Sequence, residues 1–282
     1  MTQRILRAGE FDLHKASDFL RDNHLIYQHP DWLSPQERLK GPLTYALTEA
    51  EDFLAMLCTA REDPSVGWIR FFTCVRDGKH KAYFHRLLSD SISEHQALGS
   101  LALYCTATSD WITNMLMDEG FSLDTQVITL GKLILRAALP QSSLLIRDME
   151  PADLAEVLKL DHLAFSPEWR LDLASLDHTF SHSAIATVGI QSNQMVAYCM
   201  TNAFFGSGHL NRLAVHPARW GQKLGELMLE DLDNRCIERG INQLTVNTQS
   251  NNERSIALYQ RTGFKVSGEA MSIYRLDIDR EN

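Results

Sequence analysis

Apolar and polar positions recur along this chain with two different periods. In the second half, SAIATVGIQ and MVAYCMTNAFF are apolar runs separated by Ser192-Asn193, a pair suited to a tight hairpin. LNRLAVHP reads as a further strand that stops at Pro217, which has no N–H to give to a ladder. Elsewhere the period lengthens. PADLAEVLKLDHLAF places Leu154, Val157, Leu158 and Leu160 near one face of a helix, after a short strand around Arg147. Leu224, Leu227, Met228, Leu232, Cys236 and Ile237 form a second helical stripe, with Gly240 as its stop. NQLTVNT is the next strand. Ser250 to Glu253 fits an S-x-x-E capping box that opens a helix at about Asn251, and Gly263 ends it. A terminal pair of strands follows. Strands and helices mixed in this order predict an α+β fold around a mostly antiparallel sheet.

The pattern occurs twice. NHLIYQHPDW at Asn23–Trp32 is echoed by DHLAFSPEW at Asp161–Trp169; His24 and His162 lie 138 apart, Trp32 and Trp169 lie 137 apart. Gly120-Phe121 and Gly263-Phe264 lie 143 apart, and the ILR at Ile5 precedes the LIR at Leu145 by 140. Pairs in the same order at nearly one offset mark a duplication. Two domains are therefore expected, residues 1–139 and 144–282, joined near Leu139–Ser143, where Pro and two Ser interrupt the pattern.

HPARWGQKLGELML, His216 to Leu229, joins a strand to a helix through two glycines. Such a loop brings free N–H groups and a positive dipole end to one point, an arrangement that suits an anion. In the next helix Asn252, Ser255 or Ile256, and Tyr259 fall on one face two turns long. An amide and a phenol on one face suit an elongated polar ligand.

Together the strand LAVHP, the loop WGQKLG and N-x-x-S-I-x-L-Y-x-x-x-G-F, Asn252 to Phe264, resemble the GCN5-related N-acetyltransferase (GNAT) superfamily, whose fold spans residues 145–278 here. Within it, DHLAFSPEW and the Ile-Ala-Leu-Tyr turn are similar to enzymes that acetylate protein N-termini. The resemblance implies two tandem acyl-CoA N-acyltransferase folds, each a mixed, mostly antiparallel sheet flanked by helices. It implies acetyl-CoA as co-substrate and direct attack by a primary amine in a ternary complex. Main-chain groups of Leu213, Ala214 and Val215 would pair with pantetheine like an added strand. Trp220, Gly221, Gln222, Lys223, Leu224, Gly225 and Glu226 would form the pyrophosphate loop. Asn252 and Ser255 would line the pantetheine, and Tyr259 would protonate the leaving thiolate. The acceptor, a small-molecule amine or a peptide N-terminus, is left open by the resemblance.

Chemically, such an enzyme aligns two reactants, polarises a carbonyl through a main-chain N–H and supplies an acid for sulfur. The residue that takes the amine's proton stays open. Asn247 stands where relatives often carry a glutamate, and LNRLAVHP has no acid. Water, His209, His216, Asp161, His162 or Glu168 are the alternatives. The loop also departs from R/Q-x-x-G-x-G/A: Trp220 takes the first place, Lys223 the middle glycine, and Gly225 matches. A lysine there takes negative φ or costs strain; its charge, or that of Arg219, would face the phosphates. In the first copy, RDGKHKAYFHRLL has a single glycine, Gly78, and the place of Tyr259 holds Met115 or Leu116. That copy is expected to be degenerate and non-catalytic.

Composition narrows the classes. The net charge is -9 and no cationic block stands out, which argues against nucleic-acid binding. No apolar stretch reaches membrane-spanning length; VITLGKLILRAAL is broken by Lys132 and Arg136. The five scattered cysteines form no C-x-x-C pair, so buried thiols in a cytoplasmic protein are expected, with no metal site. The rival reading is a non-catalytic acyl-CoA-binding or scaffold protein. Oligomeric state is not legible.

Overall fold

A computed structural model describes residues 2–22, 25–30, 33–107, 109–134 and 144–278. The expected joint at Leu139–Ser143, and His24 and Trp32 of the repeat, lie outside the described residues. The chain forms two units, one holding residues up to Asp124 and from Met271 onward, the other Thr125–Ala270.

The first unit contains β1 (Gln3–Arg7), α1 (Leu13–Arg21), β2 (Leu25–Gln28), α2 (Pro35–Arg38), β3 (Thr44–Glu49), β4 (Asp52–Asp63), β5 (Val66–Cys74), α3 (His80–Ala97), β6 (Ala102–Ala107) and α4 (Asp110–Asp118). Then come β7 (Ser122–Leu133), β8 (Leu145–Asp148), α5 (Leu154–Ala164), α6 (Leu173–Ser181), β9 (Ile185–Gln191), β10 (Gln194–Phe204), β11 (Ser207–Val215), α7 (Leu224–Glu238), β12 (Gln243–Gln249), α8 (Glu253–Arg261) and β13 (Lys265–Asp277). The sheet of the first unit runs β1-β3-β4-β5-β6-β13, with β2 on β5; that of the second runs β7-β12-β11-β10-β9-β8.

Repeat and unit do not coincide. β7 ends the first repeat, yet Val127–Leu133 pair with Gln249–Gln243 of β12. β13 ends the second repeat, yet Ser272–Asp277 pair with Ala107–Ala102 of β6. Each unit is thus closed by the other repeat's last strand. The expected terminal pair of strands is one long strand, β13, with Gly268 at φ +78° inside it. α6, capped by Asp172, was not foreseen either.

Both sheets are covered on two faces, and the period-2 alternation assigns the faces. In β10, Ala197 and Cys199 pack with Met228, Leu232 and Cys236 of α7, while Tyr198 and Met200 pack with Val157, Leu160 and Leu176 of α5 and α6. In the first unit α3 supplies Phe84, Leu87 and Leu88 to one core, and α1 supplies Ala16, Phe19 and Leu20 to another. All five cysteines are buried. No helix among the described residues is long and apolar enough to cross a membrane.

Duplication extends to irregularities. The β4–β5 ladder runs Cys58↔Phe71, then Thr59↔Ile69, skipping Arg70; the β10–β11 ladder runs Met200↔Arg212, then Thr201↔Leu210, skipping Asn211. A bulge at the same place in both halves re-aims main-chain groups next to a cleft. The parallel pairing beside it is short in both halves: Val66–Trp68 with Ala102–Tyr104, and Ser207–Leu210 with Gln243–Val246. Beyond those registers the two central strands part.

Candidate active site

The parting of β11 from β12 creates the site in the second unit. β11 continues to Val215 and β12 to Gln249, but their pairing ends at Leu210↔Val246. β10 holds the other edge of β11 as far as Val215. Strand alternation decides which groups face the gap. His216 N–H donates to Val196 on the β10 side, so Leu213 and Val215 present their N–H and C=O to the open edge.

A cavity of ≈ 270 Å³ lies along that edge, walled by Leu213–Val215, the loop, the start of α7, and Asn252, Ser255 and Tyr259 of α8. Apart from Gln222, every residue expected to bind the co-substrate lines it. Ala164, Phe165, Arg254, Leu258 and Arg261 line it too and were not foreseen. The signal for three of these was present: Arg254, Leu258 and Arg261 fall at i, i+4 and i+7, a stripe beside that of Ser255 and Tyr259.

Local structure explains each position. Gly221 has φ +79°, where a Cβ is strained. Lys223 adopts φ 59°, ψ 13°, so of the two sequence alternatives the strained one holds. It is the N-cap of α7 and its side chain caps nothing; α7 therefore begins with unscreened N–H groups at the cavity. Gly225 serves packing, because a Cβ there would meet Leu258 Cδ2 at 2.9 Å. The α8 start is corrected by the structure. Asn252, not Ser250, is the cap, its Oδ1 accepting from Ser255 N–H at 3.2 Å, while Ser250 N–H is taken by Gln126 of β7. Its Nδ2 donates a long 3.4 Å bond to Gln249.

The electrostatics are cationic at the loop end. Arg219, Lys223, Arg254 and Arg261 line the cavity, against Glu226, which accepts from Arg261 Nε at 2.9 Å. Arg254 lies over the Trp220 ring at 3.6 Å. Toward the other end Tyr259 is 6% exposed and packs on Phe264. Burial, helped by Cys199, pushes its phenol well above the usual range, so it is a neutral donor.

None of the five residues weighed as a base lines the cavity. Asp161 is fully buried; it accepts from Arg212, Tyr198 and the Leu171 N–H. His162 Nε2 donates to the Leu171 carbonyl, and His216 Nδ1 accepts from Ala218 N–H. Glu168 accepts from Ser166. His209 sits on β11 before the bulge, bonded to Thr245 at 2.8 Å, and burial lowers its pKa. Asn247 is exposed, its Oδ1 accepting from Thr129. The wall of the cleft is fixed from behind by Arg212, which reaches Asp161, the Trp169 carbonyl and the Phe165 ring face at 4.0 Å.

Residues 153–264 match the acetyltransferase (GNAT) family. Across its full length the chain superposes on a tandem GNAT protein from the clavulanic acid biosynthesis pathway, with TM-score 0.62, 12% identity and 100% of each chain covered. The whole chain has the tandem GNAT fold. A GCN5-related N-acetyltransferase from Anabaena variabilis superposes with TM-score 0.71 at 8% identity, over 99% of this chain and 73% of that one. In sequence, the chain is 29% identical over 92 residues to the ribosomal protein bS18-alanine N-acetyltransferase of Escherichia coli K12, a match covering 33% of this chain and 62% of that enzyme.

The first GNAT half places the corresponding positions differently. Met115 and Leu116 of α4 are buried in the core. Lys79 and Lys81 lie near Asp77 and Asp118, at 3.8 and 2.6 Å, and His80 packs against Trp111.

Proposed function

We propose that the second GNAT half, residues 144–282, is an acetyl-CoA-dependent N-acetyltransferase acting on a primary amine, and that the first, residues 1–139, is a non-catalytic copy. The observation that carries this reading is the cavity running from the α7 N-terminus, along the open edge of β11, to the buried phenol of Tyr259. Acetyl-CoA, when bound, supplies a thioester carbon open to direct attack by the amine.

The chain's own residues would do three things. The α7 amides with Arg219, Lys223 and Arg254 hold the phosphates. Leu213 and Val215 pair along the pantetheine, in the manner of an added strand. Tyr259, kept protonated by burial, donates to sulfur as the C–S bond breaks. The only carboxylate on the cavity wall among the described residues, Glu226, is engaged by Arg261. Deprotonation of the amine is therefore assigned to solvent. The acceptor classes to try first are small primary amines and, from the name of the Escherichia coli relative, peptide α-amines beginning with alanine.

Calorimetry with acetyl-CoA, followed by a panel of such amines, tests the reading. Binding with turnover of any amine supports it. Absence of binding overturns it, and binding without turnover by any panel member favours an acyl-CoA-binding protein.

A further inference from the structure

The edge that is open in the second unit is filled in the first. β5 pairs with β4 through Cys58↔Phe71, Leu57↔Phe72, Met56↔Thr73 and Ala55↔Cys74, and with β6 only at Val66–Trp68. Its remaining edge, Phe71–Cys74, is taken by β2, in the register Leu25↔Cys74, Ile26↔Thr73, Tyr27↔Phe72, Gln28↔Phe71. By ladder position Phe72 and Cys74 match Leu213 and Val215: Leu57↔Phe72 and Ala55↔Cys74 in one half, Cys199↔Leu213 and Ala197↔Val215 in the other.

The added strand runs up to the bulge. His29 N–H donates to the carbonyl of Arg70, the bulged residue, at 2.8 Å. Its Nδ1 meets Thr106 Oγ1 of β6 at 3.2 Å, so His29 spans the gap between the parted strands. Tyr27 is 2% exposed and belongs to the core. The loop end is also altered. Asp77 puts a carboxylate at the start of α3, where its Oδ1 accepts from Lys79 N–H at 3.0 Å and its Oδ2 from Tyr83 at 2.6 Å. An anion there would meet a negative charge already holding the Lys79 N–H.

We propose that Leu25–His29 is an intrachain stand-in for a pantetheine arm, which closes the first unit to acyl-CoA. The chain then binds one acyl-CoA, not two. The inference rests on reading the open edge of β11 as the berth of the co-substrate.

Hydrogen exchange on the full chain, read residue by residue with and without acetyl-CoA, tests it alongside calorimetric stoichiometry. Alternation sends Phe72 and Cys74 N–H toward β2, since Val75 N–H goes to Leu54 of β4. The expected result is that Phe72 and Cys74 exchange slowly in the free protein and do not change, whereas Leu213 and Val215 slow by about tenfold or more on adding acetyl-CoA, with one site per chain. Two sites, slowing at Phe72 and Cys74 on adding acetyl-CoA, or free-protein exchange there as fast as at Leu213 and Val215 would overturn it. If acetyl-CoA binds nowhere, the proposed function fails, and the free-protein rates at Phe72 and Cys74 still decide whether β2 holds that edge.

Discussion

The indole Nε1 of Trp220 donates to the carbonyl of Val215 at 2.9 Å. That carbonyl is one of the groups on the open edge of β11, so the loop residue holds an acceptor that an added strand would use. Arg254, over the same ring, keeps the indole in place. Trp220→Phe retains an aromatic face for Arg254 and removes the competing donor. A net hydrogen bond contributes about 0.5–1.5 kcal/mol, so acetyl-CoA is expected to bind roughly two- to tenfold more tightly to the variant. Calorimetry on both proteins measures this; weaker binding would mean that the indole contacts the ligand rather than competing with it.

Lys223 is held in the left-handed region, which costs a residue with a Cβ about 1–2 kcal/mol. Glycine is free of that cost but loses more chain entropy on folding. Lys223→Gly is expected to raise stability by about 0.5–1 kcal/mol, read from urea midpoints. The same change removes a cation from the loop end of the cavity, so acetyl-CoA affinity should fall about threefold at low salt and its salt dependence should flatten. A variant with unchanged affinity and unchanged salt slope would show that this ammonium faces away from the phosphates.

Much of this site was legible because its signals are local. The hairpin at Ser192-Asn193, where both residues have positive φ, the stop at Gly240 and the shared face of Ser255 and Tyr259 each depend on residues within two turns of one another. What failed to show depends on partners distant in sequence. Ser250 offers a good capping pattern, but β7 takes its N–H, and the cap passes to Asn252. β7 and β13 read as ordinary last strands of their repeats, and nothing local says which sheet a strand edge will choose. The filling of the β5 edge by Leu25–Gln28 is of the same kind: four residues with no periodicity of their own, placed by a gap that exists only once β5 and β6 have formed.

Tyr259 lies against Phe264 with ring centroids 5.4 Å apart, a contact that phenylalanine would preserve. Tyr259→Phe should therefore leave the melting temperature and acetyl-CoA affinity nearly unchanged. Loss of the proton donor should lower kcat by about 10²-fold or more. Because burial raises the phenol's pKa above its ordinary 10, the parent's rate should show no alkaline fall from this group below pH 10. A variant that keeps full kcat would remove Tyr259 from the chemistry and leave it a core residue.

His95 carries a pH signature in the first unit. Its ring is fully buried between Ser100 Oγ and Thr59 Oγ1, each 3.0 Å away, and it lies against Gly67, where a Cβ would come within 2.3 Å of it. Burial first, then the Arg61 charge, lowers its pKa from 6.5 to about 4. Above pH 6.5 the ring is neutral folded or unfolded, and no stability depends on it. As pH falls below 6.5 the unfolded chain takes up a proton that the folded protein refuses, so stability drops until about pH 4, by on the order of 3 kcal/mol. His95→Gln spans similar partners without titrating. Urea unfolding of both proteins at several pH values between 7 and 4 should show the parent losing stability relative to the variant across that window. Carboxylates such as Asp12 and Asp77, held below their ordinary range by hydrogen bonds, lose stability at the acid end in both proteins and cancel in the difference. Parallel pH curves for parent and variant would place the proton on His95 in the folded state as readily as in the unfolded one.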